Sequence, residues 1–61
     1  MVLSVDRIWE IMVEYGIATD DEIELVTYIN GYSRNTLNDI IEVRTGYQNI
    51  EQWAESEGVT L

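Results

Sequence analysis

The chain has 61 residues and a formal net charge of −9, from twelve acidic residues against three arginines. It contains no cysteine, histidine or lysine, so disulfides, thiolate chemistry and histidine-based metal or acid–base sites are excluded. A chain of this length forms at most one small domain, here predicted over 1–61, with no room for a catalytic cleft. We therefore expect a protein that is not an enzyme and needs no cofactor or metal.

The first predicted helix runs from Val5 to about Tyr15, with Ser4 as its N-cap. Its apolar residues recur at the spacing of one helix face: Val5, Ile8, Trp9 and Met12. A second stripe on another face is acidic and consists of Asp6, Glu10 and Glu14. The pattern predicts an amphipathic helix that ends at the Tyr15-Gly16 pair.

The second predicted helix starts after Thr19 and ends at Asn30-Gly31. Thr19 and Glu22 have the spacing of a capping box, in which the Glu22 carboxylate returns to the amide of the cap. Three more acids follow the cap: Asp20, Asp21 and Glu24. The apolar residues predicted to face the core are Ile23, Leu25, Val26 and Ile29.

The third predicted helix begins after Ser33 and runs to about Arg44. Its inward face is predicted to contain Leu37, Ile40, Ile41 and the stem of Arg44. A fourth helix, from Ile50 to about Glu57, is capped by Asn49, with Gln52 at the capping-box position. Its inward residues are predicted to be Ile50, Trp53 and Ala54, with Val59 and Leu61 folding back onto the core. The sequence thus predicts an all-α, compact bundle of three to four short helices.

The centre of the chain, from Gly31 to Ile41, has the pattern of a helix-turn-helix, with a turn glycine and a serine cap before the second helix. In that interpretation the residues facing DNA are Arg34, Asn35 and Asn38. Acidic residues on the same helix, Asp39 and Glu42, oppose phosphate binding, and no lysine is present to contact it. A small helix-turn-helix DNA-binding protein is the alternative function, and we expect that nucleic acid is not the partner.

The acidic surface predicts a basic protein partner instead. The candidate partner-binding residues are the acidic stripe of the first helix, the acids that open the second helix, and tyrosines able to receive an arginine. They are Asp6, Glu10, Glu14, Asp20, Asp21, Glu24, Tyr32 and Tyr47. Two such acidic stripes can approximate the charge spacing of DNA, so a DNA mimic is one form of this function. A solvated face that only increases solubility is the competing interpretation.

The segments Asn30-Gly31-Tyr32, Thr36-Leu37-Asn38-Asp39 and Arg44-Thr45-Gly46-Tyr47 resemble a group of short acidic proteins. These proteins are encoded on conjugative elements and prophages of Gram-positive (Firmicutes) gut bacteria, and the likeness covers roughly three quarters of the chain. The group has no established activity, so the resemblance implies a mobile-element setting and no catalytic residue. Acidic antirestriction DNA mimics travel on such elements. We expect a cytoplasmic interaction module, since no signal-peptide pattern or membrane-length apolar run is present.

Overall fold

A computed structural model describes residues 3–61, which form four α-helices and no strand. The helices are α1 (Val5–Glu14), α2 (Asp20–Asn30), α3 (Arg34–Thr45) and α4 (Ile50–Glu57). Each boundary lies within one residue of the sequence prediction. The predicted all-α class is confirmed, and α2, a three-residue turn and α3 form the centre of the bundle.

Each helix begins at the cap that the sequence predicts. The side chains of Ser4, Thr19, Ser33 and Asn49 each accept a hydrogen bond from the amide three residues later, at 2.8–3.3 Å. In each predicted capping box, the second hydrogen bond, from the cap amide back to the side chain three residues later, is replaced by another contact. The Glu22 carboxylate pairs with Arg44 of α3, and the Gln52 side chain accepts from the amide of Gln48 at 3.2 Å. A charged partner on a neighbouring helix is a stronger attraction for Glu22 than its own cap amide.

The turn between α2 and α3 depends on Gly31. Its φ of 104° and ψ of 150° lie outside the left-handed helical region, in a region essentially restricted to glycine. Its amide still donates to the carbonyl of Thr27 at 2.8 Å, so α2 keeps its hydrogen bonding up to the turn. Gly31 therefore sets the direction in which the chain enters α3.

The core is formed around α3, which packs against all three other helices. The side chains completely enclosed there come from all four helices: Ile8, Ile11, Met12, Ile23, Leu37, Ile41 and Ile50. The inward residues predicted for α4 are buried, and Val59 packs against the core as expected. The buried arc of α1 is wider than predicted and includes Ile11, because α1 packs against both α2 and α3.

Two predicted core residues of α2 lie on the outside of the bundle. Leu25 is 62% exposed and Ile29 is 72% exposed, whereas Ile23 and Thr27 face the core. A shift of two residues rotates a helical position by about 200°, so these two pairs lie on opposite faces of α2. The prediction for Leu25 and Ile29 was wrong because the core of four short helices covers only one side of α2.

Two further expectations near the chain's later helices also need correction. Leu61 is 41% exposed and does not fold back onto the core with Val59. The Arg44 side chain is about half exposed, because its guanidinium pairs with Glu22 at the surface and draws the side chain outward.

Candidate functional site

The acidic stripe of α1 lies opposite the helix face that enters the core. Asp6, Glu10 and Glu14 are all exposed at intervals of four residues. Glu10 forms an exposed ion pair with Arg7 at 3.5 Å, so part of its charge is compensated. Asp6 and Glu14 have no arginine partner among residues 3–61 and remain available to a ligand outside the chain.

The acids at the start of α2 are joined to α1 through a tryptophan. The indole nitrogen Nε1 of Trp9 donates to Oδ1 of Asp20 at 2.8 Å. The ring of Trp9 also packs against Tyr32, with the ring centroids 5.9 Å apart. Trp9 therefore brings together three elements: α1, the first turn of α2 and the turn that follows α2. Two of the predicted partner-binding residues, Asp20 and Tyr32, meet at this one side chain.

The two candidate tyrosines have different environments. Tyr32 is exposed beside Trp9, where its ring is open to a cation. Tyr47 is half-buried against the core, and its hydroxyl is hydrogen-bonded to Ser56 of α4. The structure thus brings Tyr32 to the acids of α1 and α2, while Tyr47 joins the turn before α4 to that helix.

Among residues 3–61, exposed acidic side chains without an arginine partner outnumber the basic side chains of this protein. Each of the three arginines forms an ion pair: Arg7 with Glu10, Arg34 with Glu51 and Arg44 with Glu22. Of the twelve acids, nine have no arginine partner within residues 3–61, and all nine are exposed. These are Asp6, Glu14, Asp20, Asp21, Glu24, Asp39, Glu42, Glu55 and Glu57.

An apolar surface that the sequence interpretation missed runs along α2 and α3. Leu25, Tyr28 and Ile29 of α2 are 62–78% exposed, and Val43 of α3 is 83% exposed. Between the two helices lies a groove of about 210 Å³, whose lining includes Val26, Ile40 and Val43. The signal was present in the sequence, since the apolar residues of α2 cover more than half of its circumference, with Leu25 on the side opposite Ile23. A helix in a bundle this small buries only one side, so some of them had to face outward.

The three residues that a helix-turn-helix would direct at DNA are engaged to different degrees. The Arg34 guanidinium donates to the carbonyl of Leu3 at 2.8 Å and pairs with Glu51. The Asn38 side-chain oxygen is buried, with no hydrogen-bond partner within the described residues. Asn35 is exposed. To reach a groove of DNA, Arg34 must therefore release its contacts and Asn38 must turn its buried oxygen outward, whereas Asn35 is already free to do so.

Other kinds of site have little material in this fold. Within residues 3–61, no group of three or more carboxylates is arranged to hold a metal ion. None of the helices in that range combines the length and apolar character required to cross a lipid bilayer. No protein family, curated protein or solved structure that was compared with this chain matches it.

Proposed function

We propose that this chain is a small acidic interaction module, without enzymatic activity, that binds a basic protein in the cytoplasm. The observation that carries the proposal is the charge distribution: all three arginines are paired, while nine exposed acids have no arginine partner within residues 3–61. A surface of this kind attracts basic partners over a distance of about one Debye length and speeds their association. The resemblance to proteins of mobile elements supports a role on such an element.

The α1–α2 side of the molecule has a second property that suits a basic partner. Asp20 and Tyr32 are held together by Trp9, so a carboxylate and two aromatic rings lie within one small region. An arginine is attracted by both kinds of group, through charge and through contact with the ring face. Arginine-rich segments are therefore the ligands that this region fits best.

The experiment is an affinity capture from a Gram-positive bacterial lysate with the tagged protein, at low salt and at about 1 M salt, where the Debye length falls to about 3 Å. We expect basic proteins to be retained at low salt and released at high salt. The test variant carries Glu14→Gln, Asp20→Asn and Glu24→Gln. Asparagine at position 20 retains an oxygen that can accept from Trp9, so we expect the fold to be unchanged.

The matched control removes the same three charges elsewhere, with Glu42→Gln, Glu55→Gln and Glu57→Gln. These acids are exposed and lie on α3 and α4. If the partner binds the α1–α2 side, the test variant loses most of the captured protein and the control retains it. Equal retention by the two variants and the unmodified chain would mean that the acidic surface only increases solubility.

DNA binding by the α2–α3 pair is the competing proposal, and DNA mimicry is a special form of the first one. A titration of the chain with duplex DNA, followed by fluorescence anisotropy, tests direct DNA binding. We expect no saturable binding at physiological salt, because Asp39 and Glu42 repel phosphate and Arg34 is already paired. If the captured protein itself binds DNA, competition between duplex DNA and this chain for that protein supports mimicry. Saturable DNA binding by the chain that is lost on Arg34→Ala would support the helix-turn-helix function instead.

A further inference from the structure

We infer that the partner presents an amphipathic basic helix, and that this helix docks along the outer surface of α2 and α3. The inference rests on the proposed function, and it adds an apolar contact on α2 and α3 to the charged contact proposed for the α1–α2 side. The docking surface, called the α2–α3 face below, consists of Leu25, Val26, Ile29 and Val43, together with the edge of the mostly buried Ile40 that lines the groove.

The first observation is where exposed aliphatic side chains occur. Within residues 3–61, the large aliphatic residues with high exposure are Leu25, Ile29, Val43 and Leu61. Leu61 is the last residue of the chain, and the other three all belong to the α2–α3 face. Single exposed apolar residues are ordinary on protein surfaces, but a contiguous group indicates an interaction site.

The second observation is the groove between α2 and α3. Its lining includes Val26 of α2 and both Ile40 and Val43 of α3. Leu25 and Ile29 occupy positions next to Val26 on the surface of α2. The ion pair between Glu22 and Arg44 holds the first turn of α2 against the last turn of α3. The two helices therefore remain side by side, and the depression lies between the first two turns of α2, at Glu22 and Val26, and the second half of α3, at Ile40 and Val43.

The shape of this groove favours a helix as its occupant. The ridge of side chains on one helix packs into the groove between others, and amphipathic helices commonly bind in that way. A helix of the length of α2 extends about 16 Å, or three turns, which matches apolar anchors at positions i, i+3, i+4 and i+7 of a ligand. Within residues 3–61 there is no strand whose edge can accept an extended peptide.

The charge around the face favours a basic occupant over a second copy of this chain. Asp21 and Glu24 flank Leu25 and Tyr28 on α2, and Asp39 lies in the groove lining. The arginine in that lining, Arg44, is already paired with Glu22. Two copies of the face would bring unpaired acids against unpaired acids at the rim, whereas lysines or arginines beside an apolar ridge would pair with them.

The probe for the test is a synthetic helical peptide of about five turns, with leucine at the i, i+3, i+4, i+7 positions and lysine elsewhere. A scrambled peptide of identical composition has the same charge and no apolar face. Binding is measured at physiological salt by titration of the isotope-labelled protein, followed by amide chemical shifts. We expect the amphipathic peptide to bind at least tenfold more tightly than the scrambled one, with the largest shifts at Leu25, Ile29 and Val43.

The test variant is Leu25→Gln with Ile29→Gln, which removes the apolar side chains without changing the charge. Because both positions are exposed, we expect the helical circular dichroism to be retained and the affinity for the amphipathic peptide to fall at least tenfold. Val43→Thr, on the other helix of the groove, is a second variant expected to act in the same direction. The control is Glu55→Gln with Glu57→Gln on α4, which should leave the preference for the amphipathic peptide over the scrambled one unchanged.

Each alternative outcome has a separate meaning. If the two peptides bind equally and shift only the amides of α1 and the start of α2, the inference is wrong and the acidic binding function stands. Self-association of the unmodified chain that the double variant abolishes would assign the face to a second copy and would also overturn the inference. If neither basic peptide binds even at low salt, the proposed function itself is contradicted.

Discussion

α1 and α2 have similar lengths and similar numbers of apolar residues, but they use them in opposite ways. In α1 the side chains of Ile8, Ile11 and Met12 are completely enclosed in the core, and the opposite face is charged. In α2 only Ile23 is enclosed to that degree, while Leu25 and Ile29 lie in solvent. The difference shows that apolar content alone does not determine how much of a helix is buried.

A threonine makes the contrast between the two helices sharper. Thr27 is buried on the inner face of α2, where its hydroxyl donates to the carbonyl of Glu24 at 3.0 Å. The inner face of α2 thus contains a polar residue while its outer face contains a leucine and an isoleucine. An isolated bundle is most stable with apolar residues inside and polar residues outside, so α2 has the reverse arrangement. A helix with apolar residues on its outer face is expected to make a second apolar contact outside the chain.

The largest expected effect is the loss of stability when Ile11 of α1 is truncated, compared with the same truncation of Ile29 on α2. Ile11→Ala on α1 should lower the free energy of unfolding by about 2–5 kcal/mol, because it leaves a cavity in the core. A chain this small has a stability of only a few kcal/mol, so the variant should be largely unfolded. Ile29→Ala on α2 should change stability by less than about 0.5 kcal/mol, since its side chain is already in water and alanine favours the helix. Urea titrations followed by circular dichroism measure both.

The comparison would fail if Ile29→Ala were as destabilising as Ile11→Ala. In that case the outer side of α2 would be part of the core, and no apolar surface would remain to bind a partner.

An intermediate effect is expected from the arginines. Arg34→Gln removes the contacts that join the start of α3 to Leu3 and to Glu51 of α4, and should lower stability by about 1 kcal/mol. Arg7→Gln removes only an exposed pair within α1 and should lower it by less than about 0.5 kcal/mol. Thermal melts of the two variants at the same salt concentration give the difference. Equal melting temperatures would mean that the long-range contacts of Arg34 contribute nothing beyond an ordinary surface pair.

The smallest effect is expected at the buried threonine. Thr27→Val should raise the free energy of unfolding by about 0.5 kcal/mol, because a methyl group replaces a buried hydroxyl bonded only to its own helix. Ile29→Thr, the opposite change on the outer face, should leave stability nearly unchanged and should weaken binding of the amphipathic peptide. Denaturation curves and peptide titrations on both variants separate the two faces. A loss of peptide affinity in Thr27→Val would contradict the assignment of binding to the outer face.

The parts of the fold that depend on neighbouring residues could be predicted from the sequence. The caps Ser4, Thr19, Ser33 and Asn49 act on amides three residues away, so their pattern predicts the helix starts correctly. The inward face of α2 depends on how many helices are available to cover it, which local spacing does not contain. Ile29 was therefore assigned to the wrong side.

The candidate site was likewise predictable only where it depends on residues close together in the sequence. The acids of α1 and α2 were visible as stripes in the sequence because helical spacing is local. The contacts of Trp9 with Asp20 and Tyr32, and of Arg34 with Leu3, join residues far apart in the chain and followed from no local pattern. The α2–α3 face is a consequence of packing, and it became recognisable only once the buried side of α2 was known.

The most direct test of binding at the α2–α3 face is the heat-capacity change for binding of the amphipathic lysine–leucine peptide, measured by calorimetry at several temperatures and at two salt concentrations. Burial of the apolar face predicts a negative heat-capacity change and measurable binding that persists at about 1 M salt, where exposed charges are screened. The Leu25→Gln, Ile29→Gln variant should lose most of both signals. A heat-capacity change near zero, together with complete loss of binding at high salt, would contradict docking on this face and leave only attraction between charges.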